Sequence, residues 1–115
     1  MNIDQDLMLF LGSAHVGDGE PDLGDKLMDS FLKVLLDSGR IPDRIVCMNS
    51  GIFLTTEGSP VIESLRKFEE LGSEILSCST CLAYFKREDK LLIGEPTNMK
   101  DTVRAMLNYK KVLSP

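Results

Sequence analysis

Cys78 and Cys81 carry the sharpest chemical signal in the chain, within the run Ser77-Cys78-Ser79-Thr80-Cys81. A cysteine between a strand's end and the next helix's start faces unpaired backbone N–H groups and the positive end of the helix dipole. Both favour thiolate over thiol, and the thiolate is the nucleophile. The second cysteine, three residues on, lies one helical turn away if the helix begins there. It can then resolve a disulfide, share a persulfide or donate an S–H. The competing reading packs both as small hydrophobes beside Leu82, but the polar neighbours Ser77, Ser79 and Thr80 argue against an apolar pocket.

The other reactive types are less telling. Cys47 sits within Ile45-Val46-Cys47-Met48 and reads as core. His15 is solitary in a polar, glycine-containing loop, where a surface histidine is the ordinary reading and a ligand role the sharper one. Three cysteines and one histidine meet the ligand count for zinc, yet only one pair is closely spaced and Cys47 falls inside a strand, so no metal is expected. Gly17-Asp18-Gly19 and Gly24 do not have the spacing of a dinucleotide loop, and Asp18, Glu20 and Asp22 would repel phosphate. No cofactor is expected. Met8, Met28, Met48, Met99 and Met106 fall mostly on core-facing positions and read as packing.

The elements that must position these residues alternate in type. Leu7 to Ser13 is a continuous apolar run, as in a strand buried on both faces. Asp22 to Ser38 carries Leu27, Met28, Phe31, Leu32, Leu35 and Leu36 at helical spacing, with Asp22 as N-cap and Gly39 as stop. Arg44 to Asn49 reads as a second strand, and Ser50 to Gly58 as a loop. Ser59-Pro60 is a helix start, followed by Val61, Ile62, Leu65, Phe68 and Leu71 and closed by Gly72. Glu74 to Ser77 is a third strand, with a brief helix from the cysteines to about Arg87. Leu91 to Ile93 reads as the fourth strand, Thr97 or Asn98 as the cap of a helix running to Asn108, and Lys111 to Leu113 as the fifth strand.

Strict alternation of this kind implies one α/β domain over residues 1–115, a three-layer α/β/α arrangement with a five-stranded parallel sheet and right-handed crossovers. Ligands in such sheets bind beyond the strands' carboxyl ends. The segments there are 12–24, 49–58, 77–81 and 94–98, and they hold most of the chain's polar and reactive side chains. Besides Cys78 and Cys81, the substrate-pocket candidates are His15, Asn49, Ser50, Thr55, Thr56, Glu57, Ser77, Thr80, Glu95 and Asn98.

Composition bounds the rest. With 115 residues, 43% apolar and 27% charged, the chain suits a single folded domain and no disordered or collagenous class. Thirteen Lys and Arg against eighteen Asp and Glu leave a net charge of -5, so nucleic acid and anionic lipid are poor partners. The basic clusters Lys86-Arg87, Lys100 and Lys110-Lys111 are too small for a nucleic-acid footprint. No apolar run approaches the ~20 residues of a membrane span, and the odd cysteine count without a signal peptide points to the cytoplasm.

Three ordered segments resemble the DsrE-like domain of YedF-type selenium-metabolism proteins. They are Asn49-Ser50-Gly51-Ile52-Phe53-Leu54-Thr55-Thr56-Glu57-Gly58-Ser59, Glu74-Ile75-Leu76-Ser77-Cys78-Ser79-Thr80-Cys81-Leu82 and Gly94-Glu95-Pro96-Thr97-Asn98-Met99. Gly17-Asp18-Gly19 with Leu23-Gly24-Asp25-Lys26-Leu27-Met28 fits the same pattern, and Ser79 stands where the family has Gly. The resemblance implies a DsrE-like sheet of order 4-3-2-1-5, which the alternation does not distinguish from a flavodoxin-like order. It also implies sulfur or selenium handling, with Cys78 as carrier and Cys81 as its neighbour in the motif. Such selenium proteins usually carry an N-terminal TusA-like domain, whereas this chain begins at the DsrE-like part. It is therefore a cut-out domain or one whose TusA-like carrier partner is a separate protein.

The expected function is thus a relay protein that carries a persulfide or selenide on a cysteine and passes it to a partner. The alternatives are a CxxC dithiol–disulfide redox protein and a non-catalytic binding module. A homo-oligomer is expected in each case, because so small a domain leaves sheet edges and helix faces to cover.

Overall fold

Successive residues of a strand point to opposite faces, and in β1 (Ile3–Leu11) both faces are covered. Leu9 and Leu11 enter a large core, while Met8 and Phe10 enter a smaller one on the other side. The computed structural model describes residues 3–115. After β1 come α1 (Pro21–Asp37), β2 (Ile41–Cys47), a 3₁₀ helix (Asn49–Leu54), α2 (Ile62–Glu70), β3 (Glu74–Cys78), α3 (Ser79–Tyr84), β4 (Glu95–Thr97), α4 (Met99–Asn108) and β5 (Lys111–Leu113).

All strand pairs are parallel and the order is β4-β3-β2-β1-β5, the arrangement the DsrE-like resemblance implies. The handedness of crossovers then dictates the layers. From β1 to β4 the chain steps in one direction across the sheet, so α1, α2 and α3 fall on one face. The step from β4 to β5 returns across the whole sheet, so α4 falls on the other. Met28 and Leu32 of α1, Leu65 and Phe68 of α2 and Leu82 of α3 build the large core. Ala105 of α4 packs with Met8 and Val46 in the small one.

Several boundaries differ from expectation. The fourth strand is Glu95–Thr97, not Leu91–Ile93. Ile93 is buried in the large core as part of a loop, and Leu91 makes only an isolated bridge to Thr56. A strand paired on one side tolerates Pro96, whereas of the apolar triplet only Ile93 is buried, Leu92 being 41% exposed. Gly94 sets the entry: its φ is +77°, and a Cβ there would lie 2.1 Å from the Ile75 carbonyl oxygen.

β2 starts at Ile41, ahead of the apolar run that marks its centre, and Asn49 turns out of it at φ 53° into the 3₁₀ helix that replaces the expected loop. In α1, Pro21 is the first residue and Glu20 the cap, because proline suits that first position better than Asp22 suits the cap. α2 begins at Ile62; Ser59 instead closes a preceding turn, accepting the Val61 N–H at 3.2 Å. α3 ends at Tyr84, before Arg87, where Lys86 enters the left-handed region at φ 57°.

Candidate functional site

The carboxyl ends of the inner strands are level, with Leu11 opposite Cys47, Cys47 opposite Ser77 and Cys78 opposite Thr97. Cys78 is the last residue of β3 and the N-cap of α3. Its Sγ accepts the Cys81 backbone N–H at 3.4 Å, as a capping side chain does. One turn on, the Cys81 Sγ accepts the Asn49 backbone N–H at 3.1 Å. Gly51 makes this approach possible: a Cβ there would sit 2.1 Å from the Leu11 carbonyl oxygen, so only glycine lets the 3₁₀ helix rest on the end of β1.

The two sulfurs are not equivalent. Cys78 is buried at 4% exposure while Cys81 is half-buried at the rim, beside exposed Ser79 and Thr80. Burial pushes the Cys81 thiol up, and its hydrogen bond to Cys78 pushes further in the same direction. Both favour the protonated form of Cys81. Cys47 is fully buried, and desolvation alone drives its thiol up to about 12. It is an inert part of the core, as its apolar flanks indicate.

The remaining expected pocket residues divide by what their polar atoms touch. Thr55, Thr56 and Ser77 are fully buried and satisfied within the protein, so they line no pocket. The Thr55 hydroxyl donates to the Ile52 carbonyl at 3.2 Å and pairs with the Ser77 hydroxyl at 2.7 Å, and the Thr56 hydroxyl also donates to the Ile52 carbonyl at 2.9 Å. Ser50 accepts the Ala14 N–H at 3.1 Å, tying the loop after β1 to the 3₁₀ helix. Asn98 caps α4, accepting the Asp101 N–H at 2.8 Å. Thr80 is exposed in the first turn of α3.

Glu95 lies elsewhere. It pairs with Leu76 inside the sheet and faces a groove of about 680 Å³ between the sheet and α4, lined also by Arg44, Glu74, Arg104 and Tyr109. In that groove Arg44 bonds Glu74 at 3.0 Å and Tyr109 donates to Asp43. Burial first, and that hydrogen bond second, push the Tyr109 hydroxyl up to about 12. No local spacing in the sequence signals this set.

His15 is not solitary: its Nε2 lies 3.1 Å from Asp25 Oδ1. Glu57 is exposed near Arg87, whose Nη1 donates to the Glu57 carbonyl at 2.8 Å and the Thr56 hydroxyl at 3.1 Å. The Arg87 guanidinium lies 4.5 Å above the Phe53 ring, which packs on Phe85 with centroids 4.8 Å apart. As part of a two-residue basic cluster, Arg87 gives no hint of a reach back over 30 positions.

Among the described residues, no three His, Cys, Asp or Glu side chains converge in a way that could hold a metal ion, and no helix is long and apolar enough to cross a membrane. No protein-family model and no curated protein matches the chain. Solved structures do. MTH1491, a protein of unknown function from Methanobacterium thermoautotrophicum, is 16% identical with a TM-score of 0.69, covering 97% of this chain and 100% of its own. The ychN protein from E. coli is 16% identical with a TM-score of 0.68, covering 96% and 99%. BT1422, a conserved protein of unknown function from Bacteroides thetaiotaomicron, is 16% identical with a TM-score of 0.65, covering 96% and 95%. These likenesses concern the fold: a three-layer, DsrE-like α/β/α sandwich.

Proposed function

We propose that the protein is a sulfur- or selenium-relay carrier in which Cys78 holds the cargo and Cys81 supplies a hydrogen bond to its sulfur. The observation that supports this most is the backbone N–H of Cys81 donating to the Cys78 sulfur at 3.4 Å, at the junction of β3 and α3. In the loading step the Cys78 thiolate attacks the outer sulfur of a donor persulfide R–S–SH. The donor S–S bond breaks, a new S–S bond forms on Cys78, and R–S⁻ leaves as R–SH by taking the persulfide's proton. In the second step a partner's cysteine thiolate attacks the same outer sulfur. Cys78 then departs as a thiolate that accepts the Cys81 backbone N–H. Atoms and electrons balance without an oxidant, and a perselenide R–S–SeH follows the same course.

The acceptor we propose is a TusA-like carrier protein in the cytoplasm, and the carrier itself works as a homo-oligomer. Support for self-association comes from the outer face of α4, where Met99, Val103 and Leu107 stand at i, i+4 and i+8 with exposures of 57%, 45% and 81%. Antiparallel pairing about Val103 would set Met99 of one copy on Leu107 of the other, the self-complementarity a two-fold contact requires.

Intact mass after exposure of the reduced protein to a persulfide donor, and separately to a perselenide, tests the reading. A reducible gain of one sulfur or selenium atom that disappears with Cys78→Ser and persists with Cys81→Ser is expected. A gain that persists without Cys78 overturns the assignment, and loss of two hydrogens instead identifies a dithiol–disulfide protein.

A further inference from the structure

A recess of about 360 Å³ is lined by Ala14, Asp25, Phe53, Glu57, Pro60 and Arg87. We propose that it binds a small zwitterion carrying one carboxylate and one ammonium group, the chemistry of a free α-amino acid. This stands apart from the relay reading, since it asks nothing of Cys78.

Arg87 carries the first half. Its Nη1 is consumed by the Thr56 hydroxyl and the Glu57 carbonyl, at 3.1 and 2.8 Å, and its plane is held 4.5 Å over Phe53. Phe53 is in turn held by Phe85, and Thr56 is fully buried, so the guanidinium is fixed from both sides. What remains is the Nε–H and Nη2–H edge, the fork that matches a carboxylate bidentately. Among the described residues that edge has no hydrogen-bond or ion-pair partner. Even Glu57, which lines the same recess, does not pair with it. A fixed guanidinium has already lost its rotamer freedom, which lowers the cost of ordering it on a ligand.

Asp25 and Glu57 carry the second half. Asp25 Oδ1 is engaged by His15 at 3.1 Å, which leaves its other oxygen open. A ligand with only negative charge would meet two carboxylates here, and one with only positive charge would meet Arg87. A molecule bearing both satisfies both, and each charge excludes a different class of competitor. The recess is at the small end of ligand pockets, about 300–1,000 Å³, and is suited to an amino acid.

The test is an amide chemical-shift titration of the full chain with L-leucine, leucinamide, which lacks the carboxylate, and N-acetyl-leucine, which lacks the ammonium. Expected are saturable shifts centred on Phe53, Gly58 and Arg87 for leucine, with each analogue weaker by about tenfold or more, the loss of one charge-assisted contact. Arg87→Gln should lose leucine. Asp25→Asn, a change at an exposed site that leaves the core untouched, should narrow the gap between leucine and N-acetyl-leucine, with Glu57 retaining the remainder. No saturable shift with leucine overturns the proposal, as does N-acetyl-leucine or leucinamide binding the unmutated protein as tightly as leucine, or leucine shifts confined to the groove beneath α4.

Discussion

The backbone N–H of Asn49 donates to the sulfur of Cys81 at 3.1 Å, joining the end of β2 to the first turn of α3. Asn49 holds φ at 53°, the left-handed region that asparagine enters more readily than most side chains. That conformation turns the chain from strand into 3₁₀ helix and aims the amide at the thiol. Cys81 is thus fixed through the backbone of Asn49, while its own backbone N–H holds Cys78. The asymmetry of the two thiols is a consequence of where β2 ends.

Gly51→Ala should be strongly destabilising. The added methyl would lie 2.1 Å from the Leu11 carbonyl oxygen, a backbone atom that cannot turn aside. A cost of about 3 kcal/mol, and a melting temperature lower by roughly 12 °C, is expected from overpacking of this severity. Gly19→Ala is the control, since nothing lies within 4 Å of a Cβ there. Equal melting temperatures for the two variants would contradict the close approach.

Thr55 and Ser77 should behave as a structural pair. Thr55→Val leaves the buried Ser77 hydroxyl without its 2.7 Å partner, at about 1–2 kcal/mol. Adding Ser77→Ala removes the orphaned group, so the double variant should cost less than the sum of the singles, with a coupling of about 1 kcal/mol. Denaturant unfolding of the four proteins measures this. Additive costs would mean that the hydroxyls do not depend on each other.

Stability should fall in alkaline solution. In the folded protein Cys47 holds its proton up to about 12, against an ordinary 9.0 for a free thiol. Between those limits the unfolded chain binds fewer protons, so stability present below the lower value is lost as pH rises, by about 1.4 kcal/mol per unit for one group. Tyr109, raised from 10.0 to about 12, adds a loss of the same sign over a narrower window. Denaturation midpoints from about pH 8 to about pH 11 should therefore decline, and less steeply for Cys47→Ala. Parallel curves for variant and parent would count against a buried neutral thiol.

Leu107→Glu should shift the protein toward monomer in sedimentation velocity while leaving its melting profile near that of the parent at equal oligomeric state. The side chain is 81% exposed and contributes little to the core, so its loss acts on association. A parent that sediments as a monomer at its highest soluble concentration would contradict the role given to the α4 stripe.

Local patterns already carry the class of fold. The doubly apolar run of β1, the helical stripe of α1, the Gly72 stop and the Asn98 cap are all legible in the sequence, because each depends on neighbours within a turn or a strand. The same holds for placing Cys47 in the core and Cys78 at a strand-to-helix junction. Sequence by itself also singled out the carboxyl edge as the place where reactive side chains gather. Contacts between distant segments were beyond its reach. Leu91 to Ile93 has the better strand composition, yet Glu95–Thr97 forms β4, since pairing with β3 depends on the room Gly94 makes at Ile75. Thr55 and Ser77 are polar enough for a pocket, yet each is used up by the other across 22 positions. Only the tertiary structure decided that Cys81 meets Asn49, that His15 meets Asp25, and that Arg87 lies over Phe53. Those are three-dimensional coincidences of separate loops, and no periodicity within a single segment encodes them.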